Sequence, residues 1–313
     1  MGLVSTAVAR AVPYLPKSLV RRVSDRYIAG DRVDQAIDVV RDLNERGARA
    51  TIDVLGEEAA DFSAVEATVD LYIHVLNEMD RLRLDSGISV KPTGIGLLID
   101  EERCVAELRR LISHAHSIGR YVRIDMEDSR VTDATLRIFS RLRSEFPRVG
   151  AVLQACLRRT PDDAALLVEE GADVRLCKGI YREPKSIAWI DAECVRRNFV
   201  RTLEILLKGQ GHVGIATHDE LLVWDSLEML RRKRTPRKRY EFQMLLGVDR
   251  ELEQVLLDRA ESLRLYVPFG EAWFEYSSRR LRENPAIAGH VLRGMLRRFD
   301  SATRAPTFAP QER

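Results

Sequence analysis

Residues 262–285 read SLRLYVPFGEAWFEYSSRRLRENP, and within this stretch a strand hands over to a helix. Residues 262–267 alternate like a buried strand, Pro268 and Gly270 break the alternation, and residues 273–284 carry helical spacing. On that helix Tyr276, Arg279 and Arg280 lie three and four residues apart and share a side, with Glu283 one turn further on. Neighbouring guanidiniums repel unless an anion sits between them, and a planar carboxylate fits two such forks best. A solvated helix face is the competing reading in a chain this charged, and these residues alone leave both open.

Outward from this junction the same strand-to-helix unit recurs. Residues 17–28 and 31–45 have helical periodicity, and Gly47 stops the second of these helices. The period then changes. Strands are expected at 50–55, 88–91, 121–126, 150–156, 174–178, 212–217, 240–245 and 262–267. Between them, helices are expected at 63–84, 101–117, 131–145, 161–170, 185–208, 220–233 and 250–259. Strict alternation implies a parallel sheet, and eight units at this length most simply close into an α/β fold of the TIM type, a (β/α)8 barrel with additional N-terminal helices. An open doubly wound sheet is the alternative, but no G-x-G-x-x-G follows any strand. The expected organisation is a helical segment over 1–49, the barrel over 50–300, and a disordered tail over 301–313 that contains Pro306 and Pro310.

Composition narrows the function classes. Fifty Lys and Arg stand against 48 Asp and Glu in 313 residues, so a net charge of +2 provides no global field for nucleic acid. The basic run at 231–239 is local and reads first as a helix C-terminus whose cations complement the helix dipole. Cys104, Cys156, Cys177 and Cys194 show neither close pairing nor a spaced histidine, as expected of reduced thiols in a cytoplasmic protein without a metal site. No apolar stretch approaches the length of a membrane span.

A barrel places its functional side chains at the C-terminal ends of its strands. Taken strand by strand, these positions hold Glu57, Lys91, Asp125 and Glu127, Gln154, Arg175 and Lys178, Thr217 and His218, Gln243, and Tyr266. Each alone has a plain explanation, since strand ends meet water. In register they outline a catalytic mouth. With Arg279 and Arg280, and with tyrosines at 181, 266 and 276, the mouth suits a small anionic substrate with an apolar body. No triad or metal spacing is evident, so the hard chemistry falls to an organic cofactor or a lysine imine.

The run RLYVPFGEAWFEYSSRRLREN, with VKPTGIG, RIDMED, VRLCKGIY, IATHD and YEFQMLLG in the same order along the chain, resembles proline dehydrogenase. The resemblance is to the monofunctional bacterial enzymes and to the corresponding domain of the bifunctional proline-utilisation flavoenzymes, and it runs from about residue 50 to residue 284. It implies an FAD-containing barrel that oxidises L-proline to 1-pyrroline-5-carboxylate by hydride transfer to flavin N5 and passes the electrons to a membrane quinone. By the same resemblance Arg279, Arg280 and Lys91 would bind the proline carboxylate. Leu245, Tyr181, Tyr266 and Tyr276 would wall the pyrrolidine ring, and Asp125 would support the pocket. Gln154 and Arg175 would contact the flavin ring, while Lys178, Gly179, Thr217, His218 and Glu283 would hold the rest of FAD. Glu57 corresponds to the acid that pairs with the first arginine to close the site. Arg182 departs from the pattern, since some relatives carry an aromatic there. A quinone acceptor also implies peripheral contact with the inner face of the membrane, for which the sequence offers only the 231–239 run. A Schiff-base aldolase using Lys178, a non-catalytic amino-acid-binding barrel and a folate reductase are the rival readings.

Overall fold

The computed structural model describes residues 21, 24, 26–274, 276 and 277. Two compact units make up the chain: residues 26–271, and residues 1–25 together with 272–313. In the second unit Ser24 Oγ donates to Ser277 Oγ at 2.6 Å, and the Arg21 guanidinium lies 4.8 Å from the centre of the Trp273 ring. Most of the helix expected at 17–28 and of the one at 273–284, the residues Arg279, Arg280 and Glu283, and the tail from 301 all lie outside the described residues.

The unit 26–271 is a closed, all-parallel barrel of eight strands in chain order. Helix α1 (Val33–Glu45) precedes β1 (Arg49–Val54). There follow α2 (Phe62–Arg81), β2 (Ser86–Val90), a 3-10 turn (Pro92–Ile95), α3 (Glu101–Ser117), β3 (Val122–Ile124) and α4 (Thr132–Glu145). Then come β4 (Val149–Gln154), α5 (Thr160–Glu169), β5 (Asp173–Cys177), α6 (Ala192–Leu206) and β6 (Val213–Ala216). Helix α7 (Glu220–Lys233), β7 (Tyr240–Leu245), α8 (Arg250–Asp258) and β8 (Leu263–Phe269) complete the ring, and β8 pairs with β1.

Local chemistry explains where the helices begin. Asp61, Asp100, Asp191 and Asp249 each precede a helix and accept a hydrogen bond from the backbone N–H three residues on, which satisfies donors that have no intrahelical partner. Helix α2 buries Val65, Val69, Tyr72, Leu76 and Met79, spaced three and four apart, against the sheet. The strands are nearly continuous in their burial, as a sheet covered on both faces requires.

Two expected elements are corrected. The helix expected from 185 begins only at Ala192, because the preceding backbone pairs with the loop after β4: Trp189 N–H donates to the Cys156 carbonyl at 2.7 Å, and Arg158 N–H to Ile187 at 2.9 Å. Strand β8 runs through Pro268 rather than stopping before it. Its register with β7 ends at Tyr266, so the donor that proline lacks is not needed on that side, and the Pro268 carbonyl accepts from Ala29 N–H at 2.8 Å.

Candidate active site at the C-terminal mouth of the barrel

The C-terminal half of the barrel interior is polar. Lys91 follows β2 and donates from Nζ to Asp53 Oδ1 at 2.6 Å, across the β1–β2 ladder. Asp53 is fully buried in a strand that is otherwise apolar toward its end. Burial pushes the Asp53 carboxyl up, and the Lys91 cation opposes that rise. Burial pulls the Lys91 ammonium down, but Asp53, Asp125 and Glu57 around it carry it above its ordinary value.

Arg175, on β5, is the centre of the site. Its Nη1 donates to Asp125 Oδ1 at 2.8 Å, Nε to Gln243 Oε1 at 2.5 Å and Nη2 to Ser89 Oγ at 3.1 Å. The Tyr266 hydroxyl donates to the other oxygen of Asp125 at 2.8 Å, and its ring centre lies 5.2 Å from the guanidinium carbon. A guanidinium, an amide and a phenol from β5, β7 and β8 and a carboxylate from the residue after β3 thus hold one another in a single orientation. Arg175, Gln243 and Tyr266 were expected at strand ends. They lie inside their strands and reach the site because their side chains point into the barrel.

Glu127, four-per-cent exposed, accepts from Thr93 N–H at 2.9 Å and from the Thr93 hydroxyl at 2.5 Å. Burial lifts its carboxyl to about 7 against the pull of those two bonds. Thr93 in turn takes Glu58 N–H on its hydroxyl at 3.1 Å and Ala59 N–H on its carbonyl at 3.0 Å, so the carboxyl anchors the loop that carries half-buried Glu57. Gln154 ends β4 and donates to the Glu127 carbonyl at 2.8 Å.

The loops after β5 and β6 meet on Asp219, which accepts from Lys178 Nζ at 3.1 Å and from Arg196 Nε at 2.8 Å. Thr217 Oγ1 accepts from Asp219 N–H at 3.0 Å, and His218 Nε2 accepts from Leu245 N–H at 2.9 Å. Gly179 adopts a φ of +93°, and a Cβ there would lie 2.3 Å from Cys156 Sγ, so only glycine lets this loop lie against the end of β4. Bare backbone beside a lysine, a threonine and a glutamine amide gives the donor-rich, close-approach surface that a phosphate-bearing cofactor needs.

Lys91, Asp125, Arg175, Gln243 and Tyr266 are therefore brought together, as are Glu127 with Gln154, Lys178 and Thr217 around Asp219, and His218 with Leu245. Tyr181 lies half-buried in the loop after β5. Tyr276 belongs to the second unit. Sequence reasoning missed Asp53, Ser89, Thr93 and Asp219. Asp53 carried a signal as an acid inside an apolar strand, and Thr93 and Asp219 lay within the VKPTGIG and IATHD motifs.

The basic run lies at the other end of the barrel, where α7 ends and β7 begins. Its cations pair locally: Arg231 with Glu228 at 2.8 Å, Lys233 with Glu204 at 3.1 Å and Arg237 with Glu261 at 3.6 Å. No helix among the described residues is long and apolar enough to cross a membrane.

The family profile described as proline dehydrogenase matches residues 36–293. The chain is 34% identical over 273 residues to proline dehydrogenase 1 of Bacillus subtilis subsp. natto, covering 87% of this chain and 90% of that one. It is 31% identical over 301 residues to the proline dehydrogenase of Deinococcus radiodurans, covering 95% and 97%. In fold it is similar to proline utilization A from Bdellovibrio bacteriovorus inactivated by N-propargylglycine, with a TM-score of 0.79 at 22% identity over 85% of this chain and 33% of that one.

Proposed function

The chain belongs to the proline dehydrogenase family, and from that premise we propose that it is an FAD-dependent oxidoreductase converting L-proline to 1-pyrroline-5-carboxylate, with a membrane quinone as electron acceptor. The observation that carries this reading is the convergence of Lys91, Asp125, Arg175 and Tyr266 at the C-terminal mouth, where a barrel enzyme does its chemistry.

Lys91 has three ammonium protons and gives one to Asp53, which leaves two for a substrate carboxylate. Arg279 and Arg280 would complete that clamp. A carboxylate leaving water is costly unless it gains such partners, so the clamp fixes the orientation of proline as well as its affinity. Tyr266, held by Asp125, would wall the pyrrolidine ring with Tyr181, Leu245 and Tyr276. Glu57, in the loop anchored by Glu127 and Thr93, would pair with Arg279 over the bound substrate.

FAD, when bound, supplies the hydride acceptor for proline C5 and the route for electrons to quinone. Arg175 and Gln154 would hold its ring, and Lys178, Gly179, Thr217, His218 and Glu283 the remainder. Arg175 is oriented in advance by Asp125, Gln243 and Ser89, so its positive charge is in place before reduction adds negative charge nearby.

The imine reading of Lys178 is less favoured. A Schiff-base lysine is activated by a dry pocket or a neighbouring cation, whereas Lys178 is 44% exposed and ion-paired with Asp219. The deciding experiment is the visible spectrum of the purified protein during anaerobic addition of L-proline. A flavin band that bleaches supports the proposal. A flavin band that persists rejects proline as the substrate, and a protein that remains colourless after FAD is supplied rejects the cofactor. Peripheral membrane contact is tested separately by sedimentation with anionic liposomes at low salt.

A further inference from the structure

Among the described residues, three pairs of opposite charge lie along the barrel interior. Lys91 meets Asp53 at 2.6 Å, Arg175 meets Asp125 at 2.8 Å, and Arg264 meets Glu241 at 2.6 Å. Arg123, on β3 and only 3% exposed, has no carboxylate partner among the described residues. Its Nη1 donates to the carbonyls of Ala151 at 2.9 Å and Asp173 at 3.1 Å, and its Nε has no partner there. Its guanidinium carbon also lies 4.9 Å from the centre of the Tyr121 ring. A buried guanidinium without an ion pair is expensive, and burial pulls its pKa down although Asp173 and Glu241 oppose the fall.

Arg123 borders a cavity of about 370 Å³ that opens at the N-terminal ends of the strands and reaches up to Arg175 and Gln243 beneath the mouth. The acids on its wall are already engaged. Glu241 takes both nitrogens of the Arg264 fork and the Gln243 amide, Asp85 takes Arg49 at 3.2 Å, and Asp173 accepts from His212 N–H at 2.7 Å. Two donors on the wall are less well matched. Exposed Arg148 hydrogen-bonds to the Gly119 carbonyl, and the Tyr121 hydroxyl is buried with no partner among the described residues. Gly150 makes room for these heads, since a Cβ there would lie 1.7 Å from the Tyr121 oxygen and 2.7 Å from Arg123 Nη1.

We propose that this cavity binds a phosphate group, free or carried on a small metabolite, with Arg123 and the Tyr121 hydroxyl as inner donors and Arg148 at the rim. Two guanidiniums and a phenol on different parts of the wall suit an anion with several acceptor oxygens, and the volume falls in the range of small-ligand sites. The proposed donors lie at the N-terminal end of the barrel, below the layer of Arg175 and Gln243 that the cavity shares with the mouth, and would give the enzyme a second ligand class.

The test is titration calorimetry of the flavin-loaded full chain with inorganic phosphate and, separately, with glycerol 3-phosphate, at ionic strength held constant with sodium chloride. Saturable 1:1 binding is expected, weakened more than tenfold by Arg123→Met and unchanged by Arg280→Met in the proposed carboxylate clamp. Tighter binding of the ester identifies a phosphate carried on a metabolite, and equal binding identifies the free ion. If Arg123→Met fails to fold, Tyr121→Phe and Arg148→Ala are expected to weaken binding several-fold. Absence of saturable binding, an isotherm indifferent to all three cavity substitutions, or one abolished by Arg280→Met would overturn the proposal.

Discussion

Lys91 Nζ lies 2.6 Å from Asp53 Oδ1, and the aspartate has no exposed surface at all. A buried carboxylate that loses its only cation is left uncompensated, so Lys91→Met is expected to destabilise the fold by roughly 3–5 kcal/mol. The double variant Lys91→Met/Asp53→Asn should recover a large part of that loss, because it removes both charges. Chemical denaturation of the two singles and the double measures the coupling. Simple additivity would show that the pair does not interact. In turnover assays Lys91→Met should raise the KM for proline more than Asp53→Asn does, since only the lysine faces the substrate in the proposed reading.

Asp125 takes Arg175 on one oxygen and Tyr266 on the other, both at 2.8 Å. Asp125→Asn weakens both contacts without changing size. It is expected to lower kcat/KM for proline by at least tenfold, corresponding to about 1.4 kcal/mol of transition-state stabilisation. Tyr266→Phe, which leaves the Arg175–Asp125 pair intact, should lose less kcat and more KM. If the two variants show the same kinetic split, the carboxylate serves the tyrosine alone.

The barrel was legible because alternation between strand and helix survives in a sequence whatever the side chains do at the centre. Strand β7 and helices α3 and α7 agree with expectation to the residue. The residues expected at strand ends do converge on the C-terminal face, in part for a different reason: Arg175, Gln243 and Tyr266 reach it from inside their strands. Asp53 and Ser89 escaped notice because strands covered on both faces lose the polar-apolar alternation that marks direction. The pairing of Lys91 with Asp53 depends on the β1–β2 register, which no local pattern encodes. The 185–191 segment misled because its apolar spacing resembles a helix, while its backbone bonds go to the loop after β4.

Tyr72 on α2 closes the upper ends of β1 and β2: its hydroxyl donates to the Ser89 carbonyl at 2.7 Å and accepts from Val54 N–H at 3.1 Å. Both partners are buried. Tyr72→Phe leaves a carbonyl and an amide without partners and should cost about 1–3 kcal/mol, read from urea denaturation. A neutral result would mean that water reaches these groups.

Glu127 gives the molecule a pH dependence of defined sign. Its carboxyl has a higher pKa folded, about 7, than the ordinary value of 4.5, because burial disfavours the charge. The native state therefore holds the proton more tightly than the unfolded chain does. The stability this confers is fully present below about 4.5 and lost as pH rises through about 7, a change on the order of 3 kcal/mol. Glu127→Gln keeps an uncharged side chain of the same shape, with an oxygen for Thr93 N–H and an amide for the Thr93 hydroxyl. The variant should show no such loss, so the difference in unfolding free energy between variant and parent should grow from pH 4.5 to 7.5. A difference that stays constant over that range would place the Glu127 carboxyl in contact with solvent and remove its role as the anchor of the loop bearing Glu57.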